Sequence, residues 1–135
     1  DTGRNCRGGT SLDTFPQGGD MGRLTTHILD TVNGGPAPGV DVRLYALGKT
    51  RELVASATSN DDGRTPYPLL ADELLVTGQY ELEFDIGAYF GARGADLADP
   101  PFLDTVVIRF GVDGAGDYHV PLLASPWSYS TYRGS

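Results

Sequence analysis

Alternation with a period of two constrains this chain more than any other feature. Val40, Val42, Leu44 and Ala46 fall on one side of an extended segment, while Asp41, Arg43 and Tyr45 fall on the other. Tyr80, Leu82, Phe84 and Ile86 alternate in the same way with Gln79, Glu81, Glu83 and Asp85. Successive side chains of a strand point to opposite faces, so each segment buries one face and shows the other to water. Shorter runs of the same kind cover residues 24–30, 51–58, 105–110, 118–123 and 128–132. Between them stand turn-forming stretches such as Asn33-Gly34-Gly35-Pro36, Gly48-Lys49-Thr50 and Asn60-Asp61-Asp62-Gly63. Thr65-Pro66-Tyr67-Pro68 lacks the donors of a central strand and reads as loop. The pattern predicts an all-β domain, a two-sheet antiparallel sandwich of roughly seven to eight strands. One helical turn is expected within residues 72–76 and another at Tyr89-Phe90. Residues 105–110 and 118–123, separated by Gly111-Val112-Asp113-Gly114-Ala115-Gly116, read as a hairpin.

Residues 1–20 show neither helical nor strand periodicity, and only Leu12, Phe15 and Pro16 among them are large and apolar. They are expected to be a disordered tail. Met21, the single methionine, stands where the patterned sequence begins, so the folded domain is expected over 21–135. With 39% apolar residues in 135, the chain carries one core and has no room for a second domain. Its 18 acidic against 10 basic residues give a net charge of -8, which argues against nucleic acid or an anionic membrane as partner. An anionic ligand would need a local cation. Cys6 is alone and cannot form an internal disulfide; that, with the lack of an apolar leader, favours the cytoplasm over the periplasm. No Gly-rich loop leads from a strand into a helix, which excludes the common nucleotide-binding architectures.

The groups suited to chemistry are few. His27 and His119 are the only histidines, and each sits inside a strand run. Imidazole titrates near neutrality, so either can take or give a proton. A zinc site would want a third ligand at matching spacing, and none is present, so no metal is expected. Arg64 stands at the tip of the Asp62-Gly63-Arg64 turn, where its fork of donors can hold a planar polar group. Tyr129-Ser130-Thr131-Tyr132-Arg133-Gly134-Ser135 packs aromatic, hydroxyl and guanidinium groups into a segment that reads as docked. Taken singly, each has a plain alternative: a hydrogen-bonded strand histidine, a surface charge, a frayed end.

Taken together they resemble one family. Leu24-Thr25-Thr26-His27-Ile28-Leu29-Asp30, Asp61-Asp62-Gly63-Arg64, Gly78-Gln79-Tyr80, Tyr118-His119-Val120-Pro121-Leu122-Leu123 and the terminal Tyr129-to-Ser135 motif are similar to the 5-hydroxyisourate hydrolases, the transthyretin-related enzymes of purine and urate degradation. The resemblance implies a transthyretin (prealbumin)-like sandwich, assembled as a homotetramer, a dimer of dimers around a channel. It implies that His27, Arg64, His119 and Ser135 act in catalysis and that His27, Arg64 and Tyr132 bind substrate. It also implies that residues 132–135 line the channel. The reaction implied is water attack on the C6 carbonyl of 5-hydroxyisourate, opening the N1–C6 bond to give 2-oxo-4-hydroxy-4-carboxy-5-ureidoimidazoline without a cofactor. Which histidine is the base is not readable from the residues. Two rival functions stand against it, a non-enzymatic transthyretin-like carrier of small ligands and a β-sandwich adhesion module.

Overall fold

Nine strands are found in the computed structural model, which describes residues 22–114 and 116–134. They are β1 (Arg23–Asp30), β2 (Gly35–Pro36), β3 (Asp41–Leu47), β4 (Arg51–Thr58), β5 (Leu70–Ala71), β6 (Gly78–Asp85), β7 (Thr105–Val112), β8 (Tyr118–Ala124) and β9 (Tyr129–Thr131). One short helix, α1 (Ile86–Ala92), follows β6, and a 3-10 turn spans Asp72–Leu74. The two-residue β2 and β5 are too short for any period to announce them; apart from these the strands number seven. The expected tail over 1–20, the domain start at Met21 and the site residue Ser135 lie outside the described residues.

The strands form two sheets, one ordered β4-β3-β6-β7 and the other β2-β1-β8-β9, with β5 pairing the start of β1. This is the expected sandwich, with one departure in direction: β1 and β8 run parallel, from Leu24↔Tyr118 to Asp30↔Ala124. The expected hairpin of 105–110 with 118–123 is absent. β7 pairs with β6, and β8 lies in the other sheet. Val106, Ile108 and Val112 on β7 and Val120, Leu122 and Ala124 on β8 face the same core from the two sheets. The loop between them therefore crosses from one sheet to the other, pinned where the Asp113 amide donates to the Tyr118 hydroxyl at 3.0 Å and that hydroxyl donates to the Asp113 carboxylate.

Leu44, Leu82, Phe84, Leu24, Ile28 and Leu122 are fully buried between the sheets, each contributing about 1.5–3 kcal/mol by leaving water. The outer face of the β4-β3-β6-β7 sheet is laced by charge: Arg43 bonds Glu83 and Asp85, while Arg51 and Arg109 both bond Glu81. At the end of β1 the buried Asp30 carboxylate accepts from the Val32 and Asn33 amides, the Asn33 side chain and the Tyr89 hydroxyl of α1. Burial alone would raise the Asp30 pKa, but these donors outweigh it and hold the carboxyl below its ordinary value.

Candidate active site

The outer face of the other sheet carries the histidines. On β1 the alternation buries Leu24, Thr26, Ile28 and Asp30 and turns Thr25, His27 and Leu29 outward. On β8 the same alternation turns His119 and Leu123 outward. In register, Thr25 lies beside His119 and His27 beside Pro121, so the two imidazoles are diagonal neighbours on one face.

Arg64 reaches this face because of how the free edge of β1 is covered. β5 pairs with its first residues and β2 with its last. The middle is filled by the Asn60-to-Arg64 turn, whose Gly63 carbonyl accepts from the Ile28 amide at 2.8 Å and whose Arg64 bridges His27. Asn60 shapes the turn, its side-chain oxygen accepting from the Asp62 and Arg64 amides. Gly63 is required: its φ is +75°, and a Cβ there would lie 2.4 Å from the Ile28 carbonyl oxygen.

From the far side β9 continues the same rows. Its ladder with β8 runs through Leu122↔Thr131, and a further bridge joins His119↔Gly134. That register sets Tyr132 opposite Pro121, in one row with His27 and Arg64. Gly134 falls opposite His119, where a Cβ would meet the ring at 2.7 Å. The missing side chain of Gly134 thus leaves the space that the imidazole occupies.

The hydrogen bonds define what each ring can do. The His27 Nε2–H donates to the Asp62 carbonyl at 2.8 Å, since a carbonyl only accepts, and this leaves Nδ1 as the acceptor of the neutral ring. His119 Nδ1 lies 2.8 Å from the Thr25 hydroxyl. Burial, and then the positive charges of Arg64 and His27, hold the His119 pKa below the ordinary histidine value, which keeps its ring neutral at neutral pH. Arg64 and Tyr132 are exposed, so the face is open to a ligand. Among the described residues no group of three or more His, Cys, Asp or Glu is placed to hold a metal ion.

Of the expected site residues, the structure brings together His27, Arg64, His119 and Tyr132, while Ser135 lies outside the described residues. Arg133, expected to line the same channel, instead points to the opposite face, over the Tyr118 ring. Two contributors escaped the sequence reading. Thr25 was signalled, since it shares the outward face of His27; Asp62 acts through its backbone carbonyl and leaves no side-chain signal.

Sandwich topology, a single helix after β6 and a histidine–arginine cluster on one outer sheet face define a transthyretin-like protein. The sequence profile of the HIUase/Transthyretin family matches residues 24–134. The chain belongs to the HIUase/Transthyretin family. It is 53% identical over 117 residues to the 5-hydroxyisourate hydrolase of Pseudomonas aeruginosa, covering 85% of this chain and 93% of that one. The solved 5-hydroxyisourate hydrolase of Klebsiella pneumoniae superposes with a TM-score of 0.72 at 35% identity, over 84% of this chain and 99% of that one. A crystal structure of (S)-allantoin synthase superposes with a TM-score of 0.82 at 47% identity; 85% of this chain is covered, but only 44% of the synthase.

Proposed function

We propose that this protein hydrolyses 5-hydroxyisourate to 2-oxo-4-hydroxy-4-carboxy-5-ureidoimidazoline, a step of purine and urate degradation. The observation that carries the reading is the convergence of two imidazoles and one guanidinium on a single open sheet face, in a chain 53% identical to a hydrolase of that name. The reaction needs a base for water, a donor for the developing oxyanion and an acid for the leaving nitrogen. His119 suits the base because burial and Arg64 keep it neutral. With the Thr25 hydroxyl accepting from Nδ1–H, its Nε2 lone pair takes the proton as the water oxygen bonds to C6. The imidazolium so formed returns a proton to N1 as the N1–C6 bond breaks, and the new carboxyl carries the attacking oxygen. Arg64, always protonated, holds the C6 oxygen or the planar ring edge and supplies the local cation an acidic chain otherwise lacks. His27, fixed by Asp62, and Tyr132, in its row, orient the ring, and the family resemblance gives Ser135 a catalytic role. No cofactor takes part.

The same reading includes a homotetramer, a dimer of dimers. Two features favour it. β7 and β9 end their sheets, with Val107 on β7, Tyr129 on β9 and Trp127 just before β9 exposed, and the site residues lie on an open face that a second copy would close into a channel. The test is the ultraviolet absorbance of freshly generated 5-hydroxyisourate. It should vanish far faster with protein than alone, and His27→Asn, His119→Asn and Arg64→Ala should each remove most of the gain. Binding without turnover would make the protein a carrier; sedimentation of the active form as a monomer would contradict the tetramer.

A further inference from the structure

Arg133 belongs to the terminal motif yet takes no part in the reaction as read above. Its guanidinium carbon lies 4.2 Å from the centre of the Tyr118 ring, and Nη2 donates to the Asp117 carbonyl at 3.4 Å. Tyr118 is a firm base for such a contact: it is buried, its hydroxyl is engaged with Asp113, and it immediately precedes His119. Asp117 is fixed as well, since its carboxylate accepts from the Arg23 amide of β1 at 3.1 Å. One residue further on, the Gly134 amide donates to the His119 carbonyl at 2.7 Å. Residues 133 and 134 therefore grip residues 118 and 119 in succession, from the two faces of the sheet.

The grip falls where the backbone ladder fails. Pro121 has no N–H to offer a neighbouring strand. Paired residues of β8 and β9 stop at Leu122↔Thr131, where the Thr131 hydroxyl bonds the Pro121 carbonyl at 2.7 Å, and pairing resumes only at His119↔Gly134. Tyr132 and Arg133 span the gap. Among the described residues, the ties beyond Thr131 are the Gly134 amide bond and the Arg133 side chain. We propose that Arg133 is a positioning residue, which by stacking on Tyr118 and bonding Asp117 holds residues 132–134 over His119 and keeps Tyr132 in the row of His27 and Arg64. The inference rests on the hydrolase reading for its kinetic consequence and on the geometry alone for its effect on His119.

Arg133→Ala and Arg133→Lys in the full chain test it, with kcat/KM toward 5-hydroxyisourate and the ring titration of His119 by NMR. The groups facing His119 are Arg64 from the turn, His27 and Thr25 from β1 and Tyr132 from the terminal segment, while Arg133 lies across the sheet from it and Asp117 is engaged with Arg23. In Arg133→Ala, kcat/KM should fall on the order of ten- to a hundredfold through misplacement, mainly in kcat. His119, losing its cover, should titrate at higher pH, nearer an ordinary histidine. Arg133→Lys should recover most of both, because an ammonium also sits over an aromatic face. Should Arg133→Ala fail to fold, Arg133→Met keeps the alkyl stem without the charge, with the same expectations. Unchanged kinetics with an unmoved His119 would overturn the proposal. So would lost activity with an unmoved His119 and no rescue by lysine, which would place the Arg133 charge on the substrate. If the wild type hydrolyses nothing, the hydrolase reading falls, and the His119 titration still decides the positioning role.

Discussion

Replacing Gly134 by alanine adds one methyl group against the ring of His119. An ideal Cβ there lies 2.7 Å from His119 Cδ2, 3.2 Å from Cγ and 3.3 Å from Cβ. Carbon pairs rest at about 3.5–4.0 Å, so the shortest contact must open by about 1 Å. Neither partner moves freely, because Thr25 holds Nδ1 at 2.8 Å and the Gly134 amide holds the His119 carbonyl at 2.7 Å. If the ring yields, an off-rotamer twist of about 30° costs about 0.5–1.5 kcal/mol. If the segment yields, one hydrogen bond worth about 0.5–1.5 kcal/mol is lost. Either way stability changes by about 1 kcal/mol, or about 4 °C in Tm for a domain of this size. Catalysis is more sensitive, since a misplacement of about 1 Å costs on the order of a hundredfold. Gly134→Ala should therefore lose about two orders of magnitude in kcat/KM, measured by the decay of 5-hydroxyisourate absorbance, while a thermal melt moves only a few degrees. Wild-type turnover in the folded variant would refute the claim that this glycine exists to seat His119.

Further outcomes follow from the charges. The acid limb of kcat/KM should lie below the ordinary imidazole value of about 6.5, with activity lost as pH falls through it and His119 becomes protonated. Arg64→Ala should lower the rate and move that limb upward, short of the ordinary value because burial, the larger cause, remains; an unmoved limb would show that His119 is not the base. Asp30→Ala should cost roughly 3 kcal/mol at neutral pH by denaturant unfolding, since it strands the Tyr89 hydroxyl and two backbone amides inside the fold. Because the Asp30 carboxyl is held below its ordinary value, its share of stability is present above about pH 4 and is lost as pH falls. The gap between variant and wild type should therefore narrow in acid, and a constant gap would count against the reasoning.

Where a strand has one buried face, the sequence announced it. Val42 and Leu44 face the core while Arg43 turns out onto Glu83 and Asp85, as alternation requires. Glu81 follows the outward pattern yet is only 8% exposed, because Arg51 and Arg109 close over it, and cross-strand covering leaves no mark on one strand's own sequence. The false hairpin has a similar origin: strand, Gly-rich loop, strand specifies proximity along the chain but not which sheet receives the second strand. His27, Arg64, His119 and Tyr132 were legible through their motifs; their rows were not, since these depend on a parallel register between strands far apart. Arg133 was misplaced because a cluster of functional residues was read as facing one way, although neighbours in an extended segment must face opposite ways.

The parallel union of β1 and β8 also sets an order of events. Thr25 and His119 are 94 residues apart, and contacts at such separation form late because the intervening chain must first be brought round. The β4-β3-β6-β7 sheet involves nearer neighbours and has no need to wait. During synthesis β1 emerges long before β8 exists to pair with it, so its hydrogen-bonding edge stays open until nearly the whole described chain has been made. The face that bears both histidines is consequently the last surface completed, and a refolding protein should form the β4-β3-β6-β7 sheet before it regains turnover.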